Sequence, residues 1–235
     1  MNNSKKKFLK GRLIKRYKRF FVDVQLDNGE QITAHCPNTG SMMGLLDEGN
    51  IVYLSESDNI KRKLKYTLEI IKVKKANVGI NTHRANRIVE KAILEGKIKS
   101  LGKKLLLTRE VKYGENSRID FLITNEKKEN IFLEVKNVTL SKKNNLAEFP
   151  DSVTERGSKH LIELTKLIKK NKRSIMLYLI QRDDCKKFTT AGYIDPIYEN
   201  NLNKAIKSGI EVLCYDCTFK HNMIELNKKI KFIIK

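Results

Sequence analysis

The chain has 235 residues, 40% of them hydrophobic, which is enough for two compact domains that each bury a core. Its 48 Lys and Arg outnumber 27 Asp and Glu for a formal charge of +21, a balance that suits a polyanionic partner, nucleic acid before membrane lipid. The longest apolar run, residues 175–180, is far too short to span a bilayer, and the basic N-terminal stretch lacks the apolar core of a secretory signal; the expectation is a cytoplasmic protein with no membrane partner. Part of the lysine excess follows from an Asn- and Ile-rich composition of the kind AT-rich coding produces, so charge carries only part of the argument.

Residues 8–80 read as short strands separated by turns. Phe20, Val22, Val24 and Leu26 alternate towards a core, and Asp27-Asn28-Gly29 forms a hairpin turn into residues 31–35. Further strands fall at 51–55 and 66–73, and a small closed barrel is the economical arrangement because it removes exposed edges. The first strand presents Lys15, Arg16, Tyr17, Arg19 and Phe21, cations interleaved with aromatics that suit a phosphate backbone and stacked bases. The same pattern also suits a solvated strand whose aromatics pack on a second domain. The loop from His35 to Met42 offers the amides of Asn38, Thr39 and Ser41 either as an anion nest or as a structural turn. His35 has no carboxylate or serine partner in the pattern, which argues against nucleophilic catalysis there.

Around residues 76–82 alternation gives way to a helical period, with Ala85, Ile88, Val89, Ala92 and Ile93 on one stripe that ends at Gly96. This sets a boundary near residue 80. Glu90, on the flank near Asn86, is either a third acid for a site or a solvent-facing residue. Strands follow at 104–111, 118–124 and 130–140, and then Ser152-Val153-Thr154-Glu155 reads as a capping box opening a helix to about Lys170, with Leu161, Leu164 and Ile168 inward. Arg156, Lys159 and His160 occupy the first turns of that helix, as a clamp on phosphate or as a solvated basic face. A strand at 174–181, a helix at 197–208 and strands after Gly209 complete the pattern. Of the four cysteines, Cys214 and Cys217 with His221 lack the second ligand pair of a zinc site and read as small buried hydrophobes in a reducing compartment.

The stretch from Ser117 to Leu140 places charge inside strands. Ile119, Phe121 and Ile123 share one face of the first strand, while Ile131, Leu133 and Val135 share one face of the second. If residues 125–129 form the loop of a hairpin, Thr124 faces Asn130, Leu122 faces Phe132, and Asp120 faces Glu134. Opposed side chains have Cβ atoms about 4.5–5.5 Å apart, and like charges there are destabilising unless offset. Mg²⁺ or Mn²⁺ offsets them, with Lys136 alongside as a fixed positive charge, which is equipment for phosphodiester hydrolysis. A surface hairpin with ordinary charges is the competing reading, and a one-residue register slip separates the acids.

The spacing Asp120, Glu134, Lys136 resembles the core motif of the PD-(D/E)xK nuclease superfamily. Two longer words, HCPNTGSM at residues 35–42 and FPDSVTERGSKHL at 149–161 following LEVKNVTL, resemble signatures of the sugar fermentation stimulation protein A (SfsA) family, and the likeness runs from Gly11 to the segment beginning at Ile206. The resemblance implies an OB-like β-barrel over residues 1–80 that binds nucleic acid, followed over 81–235 by a nuclease-like α/β domain with a mixed central sheet. It further implies a bacterial or archaeal cytoplasmic protein that binds DNA without sequence preference and is linked by the family name to sugar (maltose) metabolism; a homo-oligomer is allowed. Carried over by position, Asp120 and Glu134 are the metal-binding acids, the Val135 carbonyl is a third ligand and Lys136 is the motif lysine, with Mg²⁺ or Mn²⁺ as the ion. Ile119 stands where the motif has proline. Two functions follow: a low-specificity DNA-binding protein with a metal-dependent nuclease site, or a non-catalytic DNA-binding regulatory protein.

Overall fold

The structure is a computed structural model that describes residues 7–113, 117–168, 170, 172–220 and 223–234. Strands β1 (Leu9–Tyr17), β2 (Phe21–Leu26), β3 (Gln31–His35), β4 (Ile51–Glu56) and β5 (Tyr66–Val73) pair in the order β3-β2-β1-β4-β5. A parallel contact of His35 with Thr67 joins β3 to β5 and closes the five-stranded barrel. Val22, Val24 and Leu26 point inward, as their alternation requires, against Leu13, Leu54, Leu68 and Ile71. Phe20 does not. Lys18 and Arg19 adopt φ of 46° and 61°, which ends β1 at Tyr17 and reverses the chain into β2, so Phe20 is 47% exposed and Arg19 lies in the turn.

A short strand β6 (Ala76–Gly79) extends β5 and bridges outward, with Val78 paired to Arg182 and the Gly79 N–H donating to the Gln181 carbonyl at 2.8 Å. Helix α1 (His83–Leu94) follows, burying the stripe Ala85, Ile88, Val89, Ala92 and Ile93. Next come β7 (Leu106–Tyr113), β8 (Ser117–Thr124), β9 (Asn130–Val138), β10 (Leu140–Lys143) and β11 (Leu146–Phe149). Helix α2 (Glu155–Ile168), β12 (Arg173–Ile180), β13 (Lys187–Thr190), α3 (Pro196–Lys207), β14 (Glu211–Lys220), β15 (Met223–Lys229) and β16 (Lys231–Ile233) complete the chain.

The central sheet runs β15-β14-β12-β9-β8-β7 and is mixed: β9, β12 and β14 are parallel, β8 and β15 flank them antiparallel, and β7 pairs antiparallel with β8. One face packs on α1 through Phe121, Ile123, Leu133, Val135 and Leu177. The opposite face packs on α2 and α3 through Leu161, Leu164, Met176, Tyr178, Tyr198 and Leu202. Among the described residues no helix is long and apolar enough to cross a membrane.

Two local readings are corrected. The expected single strand over 130–140 breaks at Thr139, whose carbonyl accepts from Arg182 Nη1 at 2.9 Å, and the chain beyond it enters a second sheet of order β10-β11-β13-β16. The cap of α2 is Thr154 and not Ser152: Thr154 Oγ1 accepts the Gly157 N–H at 3.1 Å, while the Thr154 N–H donates to the Asp195 carboxylate at 2.8 Å. Thr154→Ala is therefore expected to cost about 1 kcal/mol in urea unfolding and Ser152→Ala close to nothing; equal losses in the two variants would restore the Ser152 cap.

Candidate functional site

The hairpin of β8 and β9 has the register its loop length implies: Thr124 pairs with Asn130, Ile123 with Ile131, Leu122 with Phe132 and Phe121 with Leu133. Asn125 sets the turn, its Oδ1 accepting the N–H groups of Lys127 and Glu129 at 3.0 and 3.1 Å. Past Phe121 the ladder stops. On the other side β7 skips the same point, where Glu110 takes φ 52°. Phe121 and Ile123 belong to the core beneath α1, whereas Ile119 packs with Val111 and Tyr113 in the opposite core. The expectation that Ile119, Phe121 and Ile123 share a face thus fails at Asp120, because β7 and β8 bend there.

Asp120 fills the opening that this bend creates. Its Oδ2 accepts the Val135 N–H at 2.7 Å, replacing a ladder bond, and its Oδ1 accepts Asn86 Nδ2 of α1 at 2.8 Å. Glu134, one residue from Val135 on β9, is only 3% exposed. Its Oε1 accepts from Lys136 Nζ at 2.8 Å and from the His160 ring nitrogen Nδ1, whereas its Oε2 is buried without a hydrogen-bond partner among the described residues. Arg156 Nε donates to His160 Nε2 at 3.5 Å, so α2 reaches the acids from the side opposite α1.

Burial first, and then the charge of Glu134, push the Asp120 carboxyl from an ordinary 3.8 up to about 6, against the bonds from Val135 and Asn86 and the Lys136 charge. For Glu134 burial also acts upwards, but the Lys136 ammonium and the His160 contact outweigh it and hold the group below the usual carboxylate value. Tyr113 adds a second unpartnered buried oxygen, with its hydroxyl pushed up by burial and by the charges of Glu134, Glu163 and Asp120. Among the described residues no three His, Cys, Asp or Glu surround a common metal position. The oxygens on hand are those of two carboxylates, which suit a hard cation such as Mg²⁺, and the orphaned Glu134 Oε2 is an acceptor that a cation would satisfy. A cavity of about 340 Å³ opens beside Asp120, lined also by Thr82, His83, Asn86, Arg87 and Arg109.

Other sequence-derived candidates separate into several places. Lys15 is exposed, its Nζ 5.7 Å from the Tyr17 ring centre, and Tyr17 stacks on Phe21 with centres 5.4 Å apart. Arg16 turns inward: its Nη2 donates to the carbonyls of Arg19, Asn38 and Gly40 at 3.1, 2.8 and 3.1 Å, bracing the 36–42 loop instead of lying open to phosphate. The expected clamp on α2 splits, since His160 is buried at Glu134, Arg156 is exposed on that side, and Lys159 lines the groove between α2 and α3 with Val153 and Ile162. Helical geometry turns about 100° per residue, so Lys159 and His160 cannot serve one surface. Glu90 is not a third acid at Asp120; the Arg109 guanidinium holds it, and Asn86 stands in its place. Cys214 and Cys217 are buried with thiols pushed up by burial, and His221 lies outside the described residues. The end of the loop meets the chain's own Asp151: the Met42 N–H donates to Asp151 Oδ2 at 3.3 Å and Ser41 Oγ to the Asp151 carbonyl at 2.7 Å. Asn86, Tyr113 and Glu163 escaped the sequence reading, because no spacing in the chain ties them to the hairpin.

A closed five-stranded barrel followed by a mixed-sheet α/β unit, with two acids and a lysine where a hairpin ladder opens, defines the class that joins an OB domain to a mixed-sheet α/β domain. The model of the SfsA N-terminal OB domain matches residues 14–80, and that of the sugar fermentation stimulation protein RE domain matches residues 83–223. Sugar fermentation stimulation protein homologues of Pelagibacter ubique and Maricaulis maris are 50% and 44% identical, covering 97% and 95% of this chain and the same shares of their own. The chain belongs to the sugar fermentation stimulation protein (SfsA) family. The solved structure of Pyrococcus furiosus SfsA in complex with Ca²⁺ superposes with a TM-score of 0.88 at 25% identity, covering 100% of this chain and 98% of that one.

Because the Asp120 carboxyl is raised, the neutral form is the favoured one in the fold: its stabilisation is complete below about pH 4 and is lost as pH rises through about 6. Ionising Asp120 by pH 8 costs about 3 kcal/mol in the metal-free protein. Unfolding free energies measured for wild type and Asp120→Asn are expected to shift in favour of the variant by about that much between pH 4 and pH 8; a difference independent of pH would mean that Asp120 ionises as an exposed carboxylate does.

Proposed function

We propose that this chain is a divalent-metal-dependent nuclease that acts on DNA with little regard to base sequence. The observation that carries the reading is the Glu134 Oε2 atom, buried without a partner among the described residues and set beside a second carboxylate whose ionisation Glu134 opposes. Asp120, Glu134 and the Val135 carbonyl would hold Mg²⁺ or Mn²⁺, which supplies a water of lowered pKa and a Lewis acid at the phosphate. The Ca²⁺ named with the Pyrococcus furiosus relative supports a hard cation bound by oxygen ligands.

The residues of the chain supply the rest. Asn86 and the Val135 amide orient Asp120, and Lys136 holds an ammonium against Glu134, where it stabilises negative charge developing on the phosphate or orients the attacking water. Arg156 is exposed at the same end of α2 and suits a backbone phosphate, with Lys159 a turn face away. At the barrel, Lys15, Tyr17, Arg19 and the exposed Phe20 form a cationic and aromatic surface suited to unstacked bases. We divide the chain near residue 80 into a nucleic-acid-binding barrel and a nuclease domain. Four unpaired, buried cysteines fit a reducing cytoplasm. A regulatory role in sugar metabolism stays with the family name.

Incubation with linear duplex and single-stranded DNA in Mg²⁺ or Mn²⁺ is expected to show cleavage that falls at least about 100-fold in Asp120→Ala, Glu134→Ala and Lys136→Ala. Cleavage surviving in both acid variants discredits the site. Binding by the wild type with no cleavage under any of these metals makes the protein the non-catalytic DNA-binding regulator.

A further inference from the structure

We infer that His160 is a positioning residue that fixes the Glu134 carboxylate so that Oε2 alone is offered to a cation. The inference rests on the metal reading above and identifies what aims its ligand.

Three hydrogen-bonding groups surround the imidazole, and their donor and acceptor roles set which ring nitrogen faces Glu134 as a donor. Arg156 Nε lies 3.5 Å from Nε2 and can only donate. Glu134 Oε1, an acceptor, faces Nδ1. One neutral tautomer satisfies both contacts, with the proton on Nδ1 donated to the carboxylate and the Nε2 lone pair facing the guanidinium. The other would set the Nδ1 lone pair against the carboxylate and oppose two N–H groups at Arg156. Lys136 Nζ sits 3.3 Å from Nδ1 because both atoms donate to the same oxygen, with Nζ at 2.8 Å from Oε1.

The consequence falls on Glu134. With Oε1 engaged from two directions, rotation of the carboxylate would break two bonds at once, and Oε2 is left unpartnered and buried. The ring itself is held: His160 is 5% exposed, and its helical neighbours Leu161 and Leu164 are 1% and 0% exposed in the core beneath. With Nδ1 bonded to Glu134 and Nε2 facing Arg156, both ring nitrogens are in use, so the geometry assigns His160 to orientation of Glu134 and away from proton transfer to a substrate. Outer-shell groups of this kind are worth about 10–100-fold in metal affinity.

Mg²⁺ affinity measured by isothermal titration calorimetry on the full chain separates the roles. In His160→Asn the amide nitrogen occupies the place of Nδ1 and keeps the donor to Glu134, whereas His160→Ala removes it; both lose the ring's packing. The expected result is wild-type affinity within about 3-fold for His160→Asn and a loss of about 10–100-fold for His160→Ala. Unchanged affinity in His160→Ala, or equal losses in the two variants, would overturn the positioning role alone. A wild-type protein that takes up no Mg²⁺ would overturn the metal reading, and this inference with it.

Discussion

Two carboxylates are buried where the β8–β9 ladder opens, and the polar groups around them, Asn86, Val135, Lys136 and His160, are arranged on that pair. Burial raises the Asp120 carboxyl from 3.8 to about 6, and the charge of Glu134 adds to that rise. A hairpin whose only task was to fold would place an apolar pair there, as it does at Phe121 and Leu133 one step away. Lys136 offsets one charge, and His160 contacts the same Glu134 oxygen. A divalent ion suits such a centre, because it draws on the charge that makes the empty arrangement costly.

The fold supplies this centre from both sides of one sheet. Helix α1 brings Asn86 to Asp120, and α2 brings His160 to Glu134. Both helix starts are tied to the barrel through a single loop: Thr82 Oγ1 donates to the Pro37 carbonyl at 2.7 Å ahead of α1, and Ser41 and Met42 hold Asp151 ahead of α2. Arg16 braces the same loop from β1. The two segments that carry the family likeness in the sequence thus meet in space. The Met42 amide and the Ser41 and Thr82 hydroxyls tie the barrel to the two helices that flank the acids.

The hairpin register was legible because Asn125 and a short loop dictate it as far as Phe121 and Leu133; beyond that pair Asp120 takes the Val135 N–H instead of standing opposite Glu134 in the ladder. The barrel and the three helices were legible for the same reason, each resting on local periodicity. The small sheet of β10, β11, β13 and β16 was not, since strands of three or four residues carry too few alternations to register as a pattern. The bend at Asp120 depends on Glu110 of a neighbouring strand taking a left-handed conformation, which no residue type at that position announces. Basic side chains usually face solvent, so neither His160 nor Arg16 announces its inward turn; buried His160 and half-buried Arg16 are drawn in by partners 26 and 24 residues away at Glu134 and Gly40.

The most direct test of the shared-cation claim is a crystal structure of the protein soaked with Mn²⁺, located by its anomalous scattering. The account predicts one peak within bonding distance of a carboxylate oxygen from each of Asp120 and Glu134, with Lys136 still against Glu134. A peak bound to only one of the acids, or manganese found elsewhere with both carboxylates unchanged, would contradict it.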